Sequence, residues 1–255
     1  QLLVRLLESM MKRISQNKSI PLDNVTPDEF QRRYGPSALV VGKYLQSNLG
    51  NDFMPELRDA LYAGNPNSCD LIDVIVELAR PQRDGKPLES IITFNFDGLI
   101  EEQLEKNNIR HKAISSEGVR SRPNELPIFH VHGFLPRKGR IGKDAEIVFS
   151  EDAYHSQFID PFSWSNLIQL NKLSQNTCFF IGLSLTDPNL RRLLDVANRK
   201  NPSMALNHYI VKKMPKFTNN SDTLDQLAFL LEEQDANELG LNVIWVDDFS
   251  EISNI

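Results

Sequence analysis

A chain of 255 residues, 40% of them hydrophobic, is long enough to bury the core of one substantial domain. Its formal charge of -6 creates no positive field for nucleic-acid phosphates or anionic membranes, so we expect neither as a partner. A helix needs about 18 apolar residues to cross a bilayer, and no apolar run in the sequence approaches that length. The two cysteines fit the reducing cytoplasm, where we expect the protein to be located.

Residues 1–87 are predicted to be mostly helical. Leucine, methionine and isoleucine recur at three- and four-residue spacing near the start, which lines one face of a helix. Thr26 offers a capping hydroxyl, Pro27 suits the first helical position, and two acidic residues follow, so a second helix is predicted there. Further helices are predicted over residues 37–48, 53–63 and 70–79.

From residue 88 onwards, short apolar strands alternate with amphipathic helices. This alternation predicts an α/β fold with a Rossmann-like, doubly wound and mostly parallel sheet over residues 88–250, to which residues 1–87 add a helical elaboration. We expect one domain over residues 1–255. The predicted strands cover residues 90–95, 109–114, 127–132, 146–149, 177–183, 208–212 and 242–247, and the predicted helices cover 97–107, a segment beginning near 150, 188–197 and 224–239.

Three predicted strands end in polar residues, and ligands of doubly wound sheets bind beyond such strand ends. The segments are Thr-Phe-Asn-Phe-Asp at 93–97, His-Val-His-Gly at 130–133, and Gly-Leu-Ser-Leu-Thr-Asp-Pro at 182–188. Asp97 and Asp187 have an alternative role as helix caps. We expect Asn95 to be buried at the sheet edge. His130 and His132 have a spacing that could suggest a metal, but no third ligand is in register, so no metal is expected.

Taken together and in this order, the motifs resemble the sirtuin family, whose members carry Thr-Gln-Asn-Ile-Asp, then His-Gly, then Gly-Thr-Ser-Leu. The segment Phe-Ser-Glu-Asp-Ala-Tyr at 149–154 and the segment 182–190 look still more like the sirtuin-like NADases of bacterial anti-phage defence. The resemblance covers roughly residues 88–247, and it implies that NAD is the substrate.

The resemblance also implies a role for each matching residue. Asn95 would hold the nicotinamide ribose or orient the attacking water, and His132 would act as general base. The cofactor-binding residues it implies are Thr93, Phe94 and Asp97 around the nicotinamide, and Gly182, Ser184 and Asp187 around the rest of the dinucleotide.

Two departures from the sirtuin pattern separate the branches of the family. Deacylating sirtuins share a small module that binds zinc through four cysteines. This sequence has only two isolated cysteines, which cannot form such a site, so no zinc module is expected. The Gly-Ala-Gly-x-Ser loop that cradles the pyrophosphate has no match either. The N-terminal Gly-rich loop is thus missing from this sequence, and we expect it upstream of Gln1 or absent.

The implied activity is that of an NAD glycohydrolase, which cleaves NAD to nicotinamide and ADP-ribose as the effector of a bacterial defence system by NAD depletion. Such a module is expected to be a homo-oligomer controlled by a fused or partnered sensor or ATPase. Two alternatives remain open. One is an NAD-dependent deacylase or ADP-ribosyltransferase, and the other is a non-catalytic module that senses NAD or ADP-ribose.

Overall fold

The computed structural model describes residues 2–18, 25–34, 38–81, 88–141, 147–200, 208–214 and 222–254. The chain divides into two compact units, Gln1–Ile159 and Asp160–Ile255. The assignment of the whole chain to one domain stays a prediction.

The first unit opens with five helices, which confirms the helices predicted from the sequence. Thr26 accepts from the Glu29 amide at 3.2 Å, and the Glu29 carboxylate accepts from the Thr26 amide at 2.9 Å, a reciprocal cap that fixes the second helix start. The helices are α1 (Leu2–Lys18), α2 (Pro27–Tyr34), α3 (Ala38–Leu49), α4 (Phe53–Leu61) and α5 (Asp70–Leu78), with a 3-10 turn at Gly50–Asp52 between α3 and α4.

The apolar faces of α1, α3 and α4 pack into one core. Leu6, Leu45 and Leu57 in this core are fully buried. Leu135 and Ile147 from later segments of the same unit join it. The helical part therefore supports the chain just beyond the sheet, where the candidate functional residues lie.

A three-stranded parallel sheet completes the first unit, in the order β1-β3-β2. A second core, which includes Val76, Leu104 and Ile128, packs α5 and α6 against this sheet. The elements are β1 (Ile91–Thr93), α6 (Leu99–Lys106), β2 (His111–Ile114), β3 (Leu126–His130) and α7 (Glu151–Ile159).

The second unit holds another three-stranded parallel sheet, in the order β4-β5-β6. All strand pairs in the described residues are parallel, which confirms the predicted α/β fold class. The elements are α8 (Trp164–Gln175), β4 (Phe179–Phe180), α9 (Pro188–Lys200), β5 (His208–Lys213), α10 (Asp222–Glu238), β6 (Leu241–Val246) and a 3-10 helix at Phe249–Asn254.

Several predictions of secondary structure were wrong: β1, β3 and β4 end earlier than predicted, one predicted strand is absent, and one helix was not predicted. Residues 147–149 form no strand, and residue 146 lies outside the described residues. Helix α8 was not predicted, because its buried positions include the polar residues Ser165, Asn166 and Gln169, which give no apolar stripe. Among the helices that the structure describes, none has the length and apolar character to cross a bilayer.

Candidate functional site

Strands β1 and β3 bring two of the polar motifs to one edge of the first sheet. The strands are parallel neighbours, and Thr93 stands opposite His130 at their carboxyl ends. Beyond this point the two chains remain joined, because the Val131 amide donates to the Thr93 carbonyl at 3.2 Å and the Leu135 amide donates to the Phe96 carbonyl at 2.7 Å. Residues 94–98 and 131–135 therefore form a pair of adjacent loops. The first loop contains Asn95 and is also called the Asn95 loop, and the second loop begins with the turn that contains His132.

Asn95 lies in the first loop, and its side chain is exposed rather than buried as predicted. The strand ends at Thr93, so the chain has left the sheet before it reaches Asn95. The Thr93 hydroxyl accepts from the Asn95 amide at 3.1 Å, and His130 Nδ1 lies 3.1 Å from the Asn95 carbonyl oxygen. Both backbone groups of Asn95 are thus held, while its side chain faces solvent.

His132 lies in the turn that follows β3, since the strand stops at His130 rather than at residue 132 as predicted. The turn needs a glycine at the next position, because Gly133 has φ 102°, a conformation that residues with a side chain rarely adopt. The His132 carbonyl accepts from the Val148 amide at 2.8 Å, and the Phe94 and His132 rings meet edge to face with centroids 4.8 Å apart. The imidazole is half-buried beside the Asn95 loop.

The first loop ends at helix α6, and Tyr62 ties this end to the second loop. The Tyr62 hydroxyl accepts from the Gly98 amide and donates to the Leu135 carbonyl, both at 2.8 Å. Burial raises the pKa of Tyr62 to about 12, so the phenol stays protonated at neutral pH and can donate. The Arg137 guanidinium covers the Tyr62 ring at 4.6 Å, and its hydrogen bond to Glu102 raises the Arg137 pKa.

Asp97 precedes Gly98, the N-cap residue of α6, and closes a side-chain turn at the helix start instead of acting as the predicted cap. Its carboxylate accepts from the Leu99 amide at 3.1 Å, in the first turn of α6. One carboxylate oxygen is enough for this bond, so the residue retains acceptor capacity. Its predicted contact with the nicotinamide stays a prediction.

Sequence reasoning missed a buried pair behind the first loop. His130 Nε2 lies 2.7 Å from Glu101 Oε1, and both side chains are buried. The two residues are 29 positions apart, so no local pattern announces the contact. A polar residue at the end of an otherwise apolar strand was the available signal, but the spacing to His132 drew attention to metals instead. No group of three or more potential metal ligands occurs in the part of the chain that the structure describes.

The third motif lies in the second unit, in the loop between β4 and α9. Asp187 caps α9 by accepting from the Asn189 amide at 2.8 Å. The Ser184 hydroxyl is exposed and lies 2.7 Å from the Thr186 hydroxyl. Gly182 has φ 72°, and a Cβ there would meet nothing within 4 Å, so backbone conformation rather than space requires the glycine. Their binding of the dinucleotide stays a prediction.

Comparison with known proteins adds an independent observation. NAD(+) hydrolase ThsA from Enterococcus faecium is 28% identical over 182 residues, which are 66% of this chain and 37% of that protein. The chain thus spans little more than a third of this relative's length. A family model described as the SIR2-like domain matches residues 89–235, which include all three polar motifs and more than half of the chain. The chain belongs to the SIR2-like domain family.

Proposed function

We propose that this chain cleaves NAD by hydrolysis at the glycosidic bond of the nicotinamide. The observation that carries the proposal is the paired placement of the Asn95 loop and the His132 turn at the ends of adjacent parallel strands, in contact through Phe94. An exposed amide and a half-buried imidazole at such an edge suit a small polar substrate. The similarity to an NAD(+) hydrolase supports NAD as that substrate.

The reaction is within the reach of these two side chains. The bond between the ribose C1 carbon and the nicotinamide nitrogen breaks, and nicotinamide leaves as a neutral molecule with the bonding pair. A water oxygen then bonds to C1, and His132 accepts the proton that this water loses, which gives ADP-ribose. The Asn95 amide can both donate and accept hydrogen bonds, so it can hold a ribose hydroxyl and orient the water. Positioning and electrostatic support supply the remaining catalysis.

Nicotinamide release from NAD by the purified full-length protein tests the proposal. We expect His132→Ala to reduce the rate at least about a hundredfold, as loss of a general base does. Asn95→Ala should have an effect of about the same size, because it removes a positioned hydrogen-bonding group. Matched controls are Asn48→Ala on the exposed surface of α3 and His111→Ala at the opposite edge of the same sheet, which should both retain the wild-type rate. Equal rates for all four variants would refute the assignment of the site.

A deacylase in the same fold would behave differently in this assay. It would release nicotinamide only when an acyl-lysine peptide is present, because the acyl oxygen rather than water captures the ribosyl group. We therefore expect that adding such a peptide leaves the rate unchanged. A rate that depends on the peptide would reject hydrolysis and favour deacylation.

The proposed role is that of a defence effector that depletes NAD once a sensor or ATPase partner releases it from control. Support for this role comes from the resemblance to sirtuin-like NADases and from the NAD(+) hydrolase relative. Expression of the active protein in bacteria should lower cellular NAD and stop growth, whereas the Asn95→Ala variant should do neither. Growth arrest that persists in the variant would contradict the role.

A further inference from the structure

His130 lies directly behind the Asn95 loop, and its contact with a carbonyl oxygen places a hydrogen on Nδ1. The side chain is 1% exposed, and Nδ1 lies 3.1 Å from the Asn95 carbonyl oxygen. A carbonyl only accepts, so Nδ1 carries the hydrogen and donates it. The other nitrogen, Nε2, lies 2.7 Å from Glu101 Oε1. The hydrogen between these two atoms belongs either to Nε2 or to the carboxyl, and in both cases Nδ1 still donates to Asn95.

The position of Glu101 near the start of α6 would ordinarily suggest a helix-capping role. It is the third residue of α6, and a glutamate there commonly reaches back to the amide of the N-cap residue. The N-cap residue is Gly98, whose amide donates to the Tyr62 hydroxyl instead. Glu101 is therefore not used as a cap. The bond to His130 satisfies Oε1, whereas Oε2 is buried without a hydrogen-bond partner within the described residues, so burial of this carboxyl group is only partly compensated.

A ring contact restrains His130 in addition to the hydrogen bonds at its two nitrogens. The Phe134 ring lies against it with centroids 4.3 Å apart. The backbone amide of Asn95 donates to the Thr93 hydroxyl, so this bond and the bond from His130 together restrain the backbone of the residue. Within the described residues, the side-chain amide of Asn95 makes no hydrogen bond, so the contacts that surround this residue define its backbone and leave its functional group available.

We propose that Glu101 and His130 form a positioning pair. The pair holds the backbone of Asn95, so that the side-chain amide of Asn95 meets its substrate in one orientation. This inference rests on the proposed function of Asn95. Neither member of the pair reaches the surface, and both act through the Asn95 carbonyl. A displacement of about 1 Å at a reacting group costs roughly a hundredfold in rate, so loss of the pair should reduce kcat much more than it raises KM.

Two substitutions of His130 separate its two hydrogen bonds. In His130→Asn the amide nitrogen takes the place of Nδ1, so the donor to Asn95 is kept and the Glu101 contact is lost. In His130→Gln the longer side chain keeps the Glu101 contact and loses the donor to Asn95. Both replacements are polar and similar in size. The proposal predicts that His130→Asn retains a kcat at least about tenfold higher than His130→Gln.

Two changes at Glu101 complete the experiment. Glu101→Gln can still donate to His130 Nε2 as a protonated carboxyl does, so its kcat should stay within about threefold of wild type. The double variant Glu101→Leu with His130→Phe leaves no unpaired charge inside, so it should fold, yet its kcat should fall at least about tenfold with KM nearly unchanged. A kcat equal to wild type in the double variant would overturn the proposal, as would a higher kcat in His130→Gln than in His130→Asn.

Hydrogen exchange of the Asn95 backbone amide gives a readout that does not depend on catalysis. Exchange should accelerate in His130→Gln and in the double variant and remain as in wild type in Glu101→Gln. If wild-type protein does not cleave NAD, the proposed function fails, and this exchange pattern alone decides the positioning role. Unchanged exchange in all variants would refute the positioning role whatever the activity.

Discussion

Gly42→Ala is the sharpest test of how the helical part supports the site. Gly42 lies in α3, and a Cβ built on it would stand 2.0 Å from the carbonyl oxygen of Phe149 and 3.2 Å from its ring. The preceding residue, Val148, donates its amide to the His132 carbonyl. The glycine therefore permits the close approach that brings α3 against the segment beside His132.

The expected effect is the balance of two opposing contributions. Alanine is the better helix former, which stabilises the folded state by up to about 1 kcal/mol. Against this, ordinary contacts of a Cβ lie beyond about 3.4 Å, so α3 and Phe149 must separate by more than 1 Å, and overpacking of this kind costs about 1–3 kcal/mol. We expect a net loss of about 1–2 kcal/mol in the free energy of unfolding, together with a lower rate of nicotinamide release.

Urea denaturation followed by circular dichroism measures the stability, with Ser47→Ala on the exposed face of α3 as the control. The control should match wild type or exceed it slightly, because alanine favours the helix without a new contact. A Gly42→Ala variant that is as stable as the control and equally active would refute the close packing of α3 against Phe149.

Three further predictions concern single residues. Tyr62→Phe removes the hydroxyl that joins Gly98 to the second loop, so we expect a loss of about 1–3 kcal/mol in urea denaturation. Gly133→Ala places a side chain at φ 102°, which should cost about 1–3 kcal/mol and reduce nicotinamide release. Burial lowers the pKa of His208 below 6.5, and its Nδ1 accepts from the Cys178 amide, so stability should decline as pH falls from about 7.5 to 5.5.

The sign of the His208 effect follows from proton binding. Below pH 6.5 the unfolded chain binds a proton that the folded chain resists, so the stabilisation is complete above the unfolded pKa and is lost as pH falls towards the folded pKa. His208→Asn should flatten this pH dependence, and an unchanged slope would contradict it.

The control for Tyr62→Phe is Tyr44→Phe, on the exposed face of α3. The control for Gly133→Ala is Gly118→Ala, because Gly118 also has a positive φ but lies in an exposed loop. Gly118→Ala should show the backbone cost without the loss of activity.

The sequence predicts the elements that carry the site well, because their signals are local. Apolar strands followed by polar residues locate β1 and β3, and the Thr26 cap and Pro27 locate α2. The parallel pairing of β1 with β3 agrees with the expected α/β class. The interpretation of the three motifs as one site rests on resemblance and stays a prediction.

What the sequence did not predict depends on contacts between distant segments. The exposure of Asn95 follows from where β1 ends, which is two residues earlier than predicted and leaves Asn95 outside the sheet. The Glu101 and His130 pair forms across 29 positions. Helix α8 buries a polar face, with Asn166 bonded to the Asp160 carbonyl and to Asn189, so periodicity of apolar residues could not reveal it.

The fate of the ribosyl C1 carbon tests the central claim most directly. The purified full-length protein is incubated with NAD in water labelled with heavy oxygen, and the products are identified by mass spectrometry. We expect equal amounts of nicotinamide and ADP-ribose, with one labelled oxygen in each ADP-ribose, and at least about a hundredfold less of both products with Asn95→Ala. Nicotinamide without labelled ADP-ribose, or equal product from wild type and Asn95→Ala, would contradict this claim.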